Sequence, residues 1–186
     1  MNFQFFHICQ KDKTRNPSKT KGFQACLYFF YEKSTHKRSE RALSKNQLVG
    51  SPDMENEIWG YPYADVDAGA YYGTAVYWAR LNDIAGGYSD EQFGPNDPIM
   101  REQLAVMLYR YAQRMGYDVT AGADLSGYAD ANQISSYAVR ALQCANAEGI
   151  VNGASAANLD PQGSATRAQT AAMLMRFCER YVENAE

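Results

Sequence analysis

The chain has 186 residues, 46% of them apolar and 21% charged, with a formal net charge of −3. That composition is globular and excludes a collagen-like or a disordered chain, and no uncharged apolar run is long enough to cross a bilayer. The average hides an asymmetry. Residues 1–52 hold ten Lys/Arg against three Asp/Glu, whereas residues 53–186 hold eight Arg, no Lys and eighteen Asp/Glu.

The basic segment, residues 1–58, carries Lys11, Lys13, Arg15, Lys19 and Lys21 between two aromatic runs, Phe3–Cys9 and Phe23–Tyr31. No helical or strand period gathers these cations onto one face. The segment therefore reads as a solvated, poorly ordered leader, foreign to the acidic body, rather than a nucleic-acid patch. The first aromatic run is short and holds Gln4 and His7. Glu32, not a small-residue cleavage site, comes directly after the second, so no secretory signal is recognised. His7, Cys9, Cys26 and His36 lack the paired short spacing of a zinc site.

The acidic body is a repeat. Residues 71–112 laid over residues 137–178 match without a gap: Tyr71 on Tyr137, Ala75 on Ala141, Ile84 on Ile150, Gly87 on Gly153, Phe93 on Leu159, Pro95 on Pro161, Arg101 on Arg167, Gln103 on Gln169 and Met107-Leu108 on Met173-Leu174. Upstream, Tyr63-Ala64-Asp65 matches Tyr128-Ala129-Asp130 with one residue of slip. Repeats of this length are units that bury their apolar faces against one another. The spacing predicts an all-α fold of two tandem units, residues 59–118 and 119–186.

Within each unit the predicted order is a Tyr-Ala-Asp turn, a helix, a glycine turn, a loop running to proline, and a longer second helix. The first helices fall at about 71–83 and 135–148, with Val76, Ala79 and Ile84, then Ala138, Ala141, Leu142 and Ala145, as core positions. Gly87 and Gly153 mark turns where glycine takes a positive φ. Leu104, Met107, Leu108, Tyr111 and Met115 make the apolar stripe of the longer helix in the first copy. Ala171, Leu174, Phe177 and Tyr181 make it in the second. Thr166 and Gln169 have capping-box spacing. Met100 stands where the threonine falls and cannot cap, so the first-copy helix is predicted to start earlier, on Asp97 with Pro98 in its first turn. Cys144 and Cys178 read as small core fillers.

At these residues the chain resembles the S-layer homology family, whose members repeat a Phe-x-Asp-Val turn, a Gly-Ile-Val-x-Gly turn, an aromatic-x-Pro loop and a Thr-Arg-Ala-Glu helix opening. The corresponding segments are Tyr63-Ala-Asp65-Val66, Phe93-Gly-Pro95, Met100-Arg101-Glu-Gln103, Gly149-Ile-Val-Asn-Gly153, Leu159-Asp-Pro161 and Thr166-Arg167-Ala-Gln169. The resemblance covers residues 61–180. It implies a pronged helical bundle, here incomplete with two repeats. It also implies cell-wall anchoring outside a bacterial cell by binding a secondary cell-wall polysaccharide, a pyruvylated glycan. By position, Arg101 and Arg167 match the family arginine that contacts ligand, and a guanidinium is a planar fork suited to a carboxylate; the alternative is that each covers its helix start or pairs with a nearby acid.

Gly87 and Gly153 offer backbone approach to a sugar or simply end a helix. Asp65 and Asp130 offer sugar hydrogen bonds or bond their own turn. Tyr71 and Tyr137 stack on a sugar face or are buried. Self-association that completes the bundle is a further expectation. No enzyme activity, cofactor, metal, nucleic-acid partner or membrane span is expected; the alternative is a structural remnant of a larger surface protein, without a ligand of its own.

Overall fold

A computed structural model of the chain describes residues 63–67, 70 and 72–183. The basic segment with its histidines, and Tyr71, lie outside the described residues. Among the described residues four α-helices succeed one another: α1 Gly73–Leu81, α2 Arg101–Met115, α3 Val139–Ala147 and α4 Arg167–Phe177. A 3-10 turn, Ala131–Gln133, precedes α3, and a π-helical turn, Cys178–Glu183, continues α4. Among the described residues there is no strand, only an isolated antiparallel bridge between Met100 and Ser164. The fold is all-α.

Two compact units divide the chain at Asp97 and Pro98. The cut passes through the first copy, between its loop and its second helix. The second unit therefore joins α2 of the first copy to the whole of the second copy.

In the first unit Val76, Ala79 and Ile84 are buried as their spacing predicts, with Tyr63 tilted against Phe93 at 5.2 Å between ring centres. In the second unit α2 packs on α3. Leu104, Leu108 and Tyr111 from α2 are buried, as are Ala138, Ala141, Leu142 and Ala145 on and just before α3 and Leu174 and Phe177 from α4. Tyr111 and Phe177, equivalent residues of the two copies, meet edge-on at 5.9 Å. Burying each such ring contributes about 2–3 kcal/mol. Cys144 and Cys178 are buried and form no disulfide, as core fillers should.

Two expectations about the second helices need correction. Both helices start in the same register, so α2 begins at Arg101 and Asp97 does not cap it. Gln103 Oε1 still accepts from Met100 N–H at 2.9 Å, but Met100 offers no oxygen in return. The orphan N–H groups of this helix start are taken by the chain instead: Arg101 N–H donates to Gly163 O and Glu102 N–H to Pro161 O, each at 2.9 Å. The second copy keeps the capping box, with Gln169 N–H on Thr166 Oγ1 and Thr166 N–H on Gln169 Oε1. The apolar stripe of α4 is also shifted. Ala171 is exposed and Thr170 is buried in its place, at the position equivalent to Leu104.

Candidate functional site

The loop after each first helix is built the same way. Asp65 accepts the N–H groups of Phe93 and Gly94 at 2.9 and 2.7 Å. Asp130 accepts those of Leu159 and Asp160 at 2.8 and 2.7 Å. Each carboxylate reaches 28 to 30 residues forward and clamps the loop before the second helix, a partner its sequence position does not suggest. Ala64 N–H on Glu91 O and Ala129 N–H on Ala157 O add the same backbone tie in each copy. The tyrosine of each turn also receives a side-chain donor from the first helix, Arg80 on the Tyr63 hydroxyl and Asn146 on that of Tyr128.

The two glycines serve this loop. Gly87 has φ +73°, and a Cβ there would stand 2.6 Å from the carbonyl oxygen of Gln92. Gly153 has no positive φ, contrary to the turn reading, but a Cβ would stand 2.9 Å from the carbonyl oxygen of Asn158. Both are glycine because the returning backbone passes too close for a side chain. A left-handed conformation shared by both copies falls on the equivalent pairs Asp83 and Gly149, and Gly94 and Asp160. In each pair one copy uses glycine and the other aspartate, which tolerates that region.

Arg101 is held inside the second unit, 4% exposed. Its Nε donates to Leu159 O at 3.0 Å and Nη2 to Asn152 O at 2.8 Å. The guanidinium thus bolts the start of α2 to the second-copy loop that Asp130 clamps. Burial lowers its pKa from the ordinary arginine value, and Asp160 and Asp130 oppose that shift. Asp130 is raised by burial, but the Leu159 and Asp160 N–H bonds, with Arg101 nearby, outweigh this and hold it below the usual carboxylate range. Arg167, the equivalent residue of the second copy, is exposed. The structure therefore places the two arginines in different environments.

Sequence reasoning does not pick out Glu102. It is 1% exposed and accepts from Ser135 N–H (3.1 Å), the Ser135 hydroxyl (2.7 Å) and the Tyr137 hydroxyl (2.9 Å). A carboxylate one residue after the arginine is the signal that could have found it; its counterpart in the second copy is Ala168. Tyr137 is pinned by its hydroxyl yet 53% exposed, so one part of the ring faces solvent. Burial of its hydroxyl and then the Glu102 bond push its pKa up to about 12. Exposed Arg110 lies within electrostatic reach and pulls the other way. Among the described residues no group of His, Cys, Asp and Glu could hold a metal ion, and no helix is long and apolar enough to cross a membrane.

Two copies of one turn–helix–loop–helix unit, each with an aspartate-clamped loop before its second helix, define a tandem helical-repeat protein. Residues 62–105 and 127–171 each match the S-layer homology domain, and the chain belongs to that family. It is 31% identical over 120 residues to a surface-layer 125 kDa protein of Lysinibacillus sphaericus, an alignment spanning 63% of this chain and 10% of that protein. It is 27% identical over 128 residues to an amylopullulanase of Thermoanaerobacterium thermosulfurigenes, spanning 69% of this chain and 7% of that one. A cellulosome-anchoring protein of Acetivibrio thermocellus is 23% identical over 141 residues, 76% of this chain and 28% of that protein. The chain thus spans only a small part of these relatives. No solved structure matches it.

Proposed function

We propose that this chain anchors to the bacterial cell wall, outside the cell, by binding a secondary cell-wall polymer that carries acidic, pyruvylated sugars. The tandem match to the S-layer homology domain carries this reading. The names of the surface-layer and cellulosome-anchoring relatives agree with it. In the amylopullulanase the alignment occupies a small segment, which fits a shared binding module rather than shared catalysis.

The surroundings of the candidate residues support a division of labour in this reading. Arg101 is spent on main-chain carbonyls, so its role is to fix the loop beside the site rather than to meet the ligand. Tyr137, held by Glu102 with its ring half open, offers an apolar platform for a sugar face. Arg110 supplies an exposed guanidinium near it for a pyruvyl carboxylate. The test is retention of the 186-residue chain on purified cell walls, with walls stripped of their secondary polymer as control. Retention should require the polymer and weaken about tenfold in Arg110→Ala, the scale of one lost charged contact, with the melting transition unchanged. Equal retention on stripped walls refutes the ligand class, and an Arg110→Ala variant that binds like the parent refutes the site.

A further inference from the structure

Asparagine is followed by glycine at one place in the sequence, Asn152-Gly153. The pair lies in the loop after α3. The same place in the first copy is Gly86-Gly87, which carries no side-chain amide. The Asn152 side chain is exposed, and its amide makes no hydrogen bond among the described residues. Nor does the Gly153 N–H. Glycine has no Cβ, so no side chain hinders the approach of its nitrogen to Asn152 Cγ.

The peptide unit joining the two residues is fixed, although the side chain is not. On one side, the N–H groups of Ile150 and Val151 donate to Ala145 O at 2.8 and 3.0 Å, and Asn146 Nδ2 donates to Val151 O at 2.9 Å. On the other, Gly153 packs so closely that a Cβ would stand 3.0 Å from the Tyr128 ring. Between them, Asn152 O accepts from Arg101 Nη2 at 2.8 Å. When a peptide nitrogen loses its proton, the charge is shared with the carbonyl oxygen of the same unit. Here that oxygen already meets a guanidinium held in place by burial, a charged donor that favours an anionic oxygen.

We propose that Asn152-Gly153 is a self-modification site: the Gly153 nitrogen closes on the Asn152 side chain, and Arg101 stabilises the anionic peptide unit that makes the attack. Hydroxide takes the Gly153 proton. The nitrogen electron pair forms a bond to Asn152 Cγ, the Cγ–Nδ2 bond breaks, and the amide nitrogen leaves as ammonia with a proton from water, which returns the hydroxide. The product is a cyclic imide. Water then opens one of its two C–N bonds. Opening at Cγ gives aspartate and an unchanged main chain. Opening at the main-chain carbon gives isoaspartate, with the chain routed through Cγ. In that product the oxygen that Arg101 holds belongs to a carboxylate, so the guanidinium gains an ion-pair partner where it had a carbonyl.

The test holds the 186-residue chain in mildly alkaline buffer, folded or unfolded in urea, and follows its peptides by mass spectrometry. Electron-transfer fragmentation separates isoaspartate from aspartate. No cell wall is involved, so the outcome is independent of the anchoring reading. The folded chain should exchange ammonia for water at residue 152 before any other asparagine of residues 72–183. It should do so about tenfold faster than the unfolded chain, less than a fully enclosed oxyanion donor supplies. Arg101→Ala removes the donor and should convert about tenfold more slowly than the folded parent. That expectation holds whether or not the variant folds, because the unfolded chain is itself slow. A folded chain that converts no faster than the unfolded one overturns the proposal. So does an Arg101→Ala variant that converts as fast as the parent or faster.

Discussion

Arg101→Ala tests whether the Arg101 side chain holds the fold. The side chain is 4% exposed and makes two hydrogen bonds, to Leu159 O and Asn152 O. A hydrogen bond with a charged partner is worth about 1.5–3 kcal/mol net. Truncation loses both, but the two acceptors do not suffer equally. Asn152 is exposed, so water replaces the donor there, whereas Leu159 is 1% exposed and its carbonyl keeps no such substitute. Releasing a desolvated guanidinium returns part of the loss. The balance is a destabilisation of about 3 kcal/mol in the unit spanning residues 98–186.

Lysine at the same position keeps the charge but offers a single compact head where the structure uses a fork, so Arg101→Lys should fall between alanine and the parent. Arg167→Ala, at the exposed equivalent, should cost no more than about 0.5 kcal/mol in dilute solution. Urea unfolding followed by far-ultraviolet circular dichroism reads all three. An Arg101→Ala variant within 1 kcal/mol of the parent, or one no weaker than Arg167→Ala, would refute the assignment, with about 1 kcal/mol as the resolution of such a comparison.

The clamp and the core defect give further tests. Asp130 has its carboxyl held below the usual carboxylate range in the folded chain, so its contribution is present above the unfolded value, 3.8, and is lost as pH falls through the lower folded value. Stability measured from about pH 6 to about pH 2 should therefore drop in the acid limb. Asp130→Asn should be less stable near neutral pH by about 2 kcal/mol, because an amide cannot accept both N–H groups, and should show a shallower limb; an unchanged limb argues against the clamp. Thr170 leaves its buried hydroxyl without a partner among the described residues. Thr170→Val keeps the shape and removes the unpaired group, and should stabilise by about 1 kcal/mol, or several degrees in the melting transition. A lower melting temperature would show that the hydroxyl is satisfied in solution.

Much of this fold is written in local pattern. The helix positions, the Thr166–Gln169 capping box and the burial of Cys144 and Cys178 come from spacing and residue chemistry within a few residues of each site. What the pattern does not carry is which copy's loop a residue meets. Met100 reads as a failed cap when capping is sought in the adjacent chain. The helix N–H groups are satisfied by carbonyls of Pro161 and Gly163, about 60 residues away. Arg101 and Arg167 are identical in sequence and equivalent in register, and only the presence of a covering loop makes one a buried bolt and the other an exposed group.

Glu102 makes the same point in reverse. Local pattern does not single it out, and it is a fully buried acceptor of three hydrogen bonds, two from Ser135 and one from Tyr137. Its counterpart Ala168 carries no acceptor and is exposed. At this one position the copies differ in step with their surroundings, whereas the aspartate that ties down each loop, Asp65 or Asp130, is the same in both.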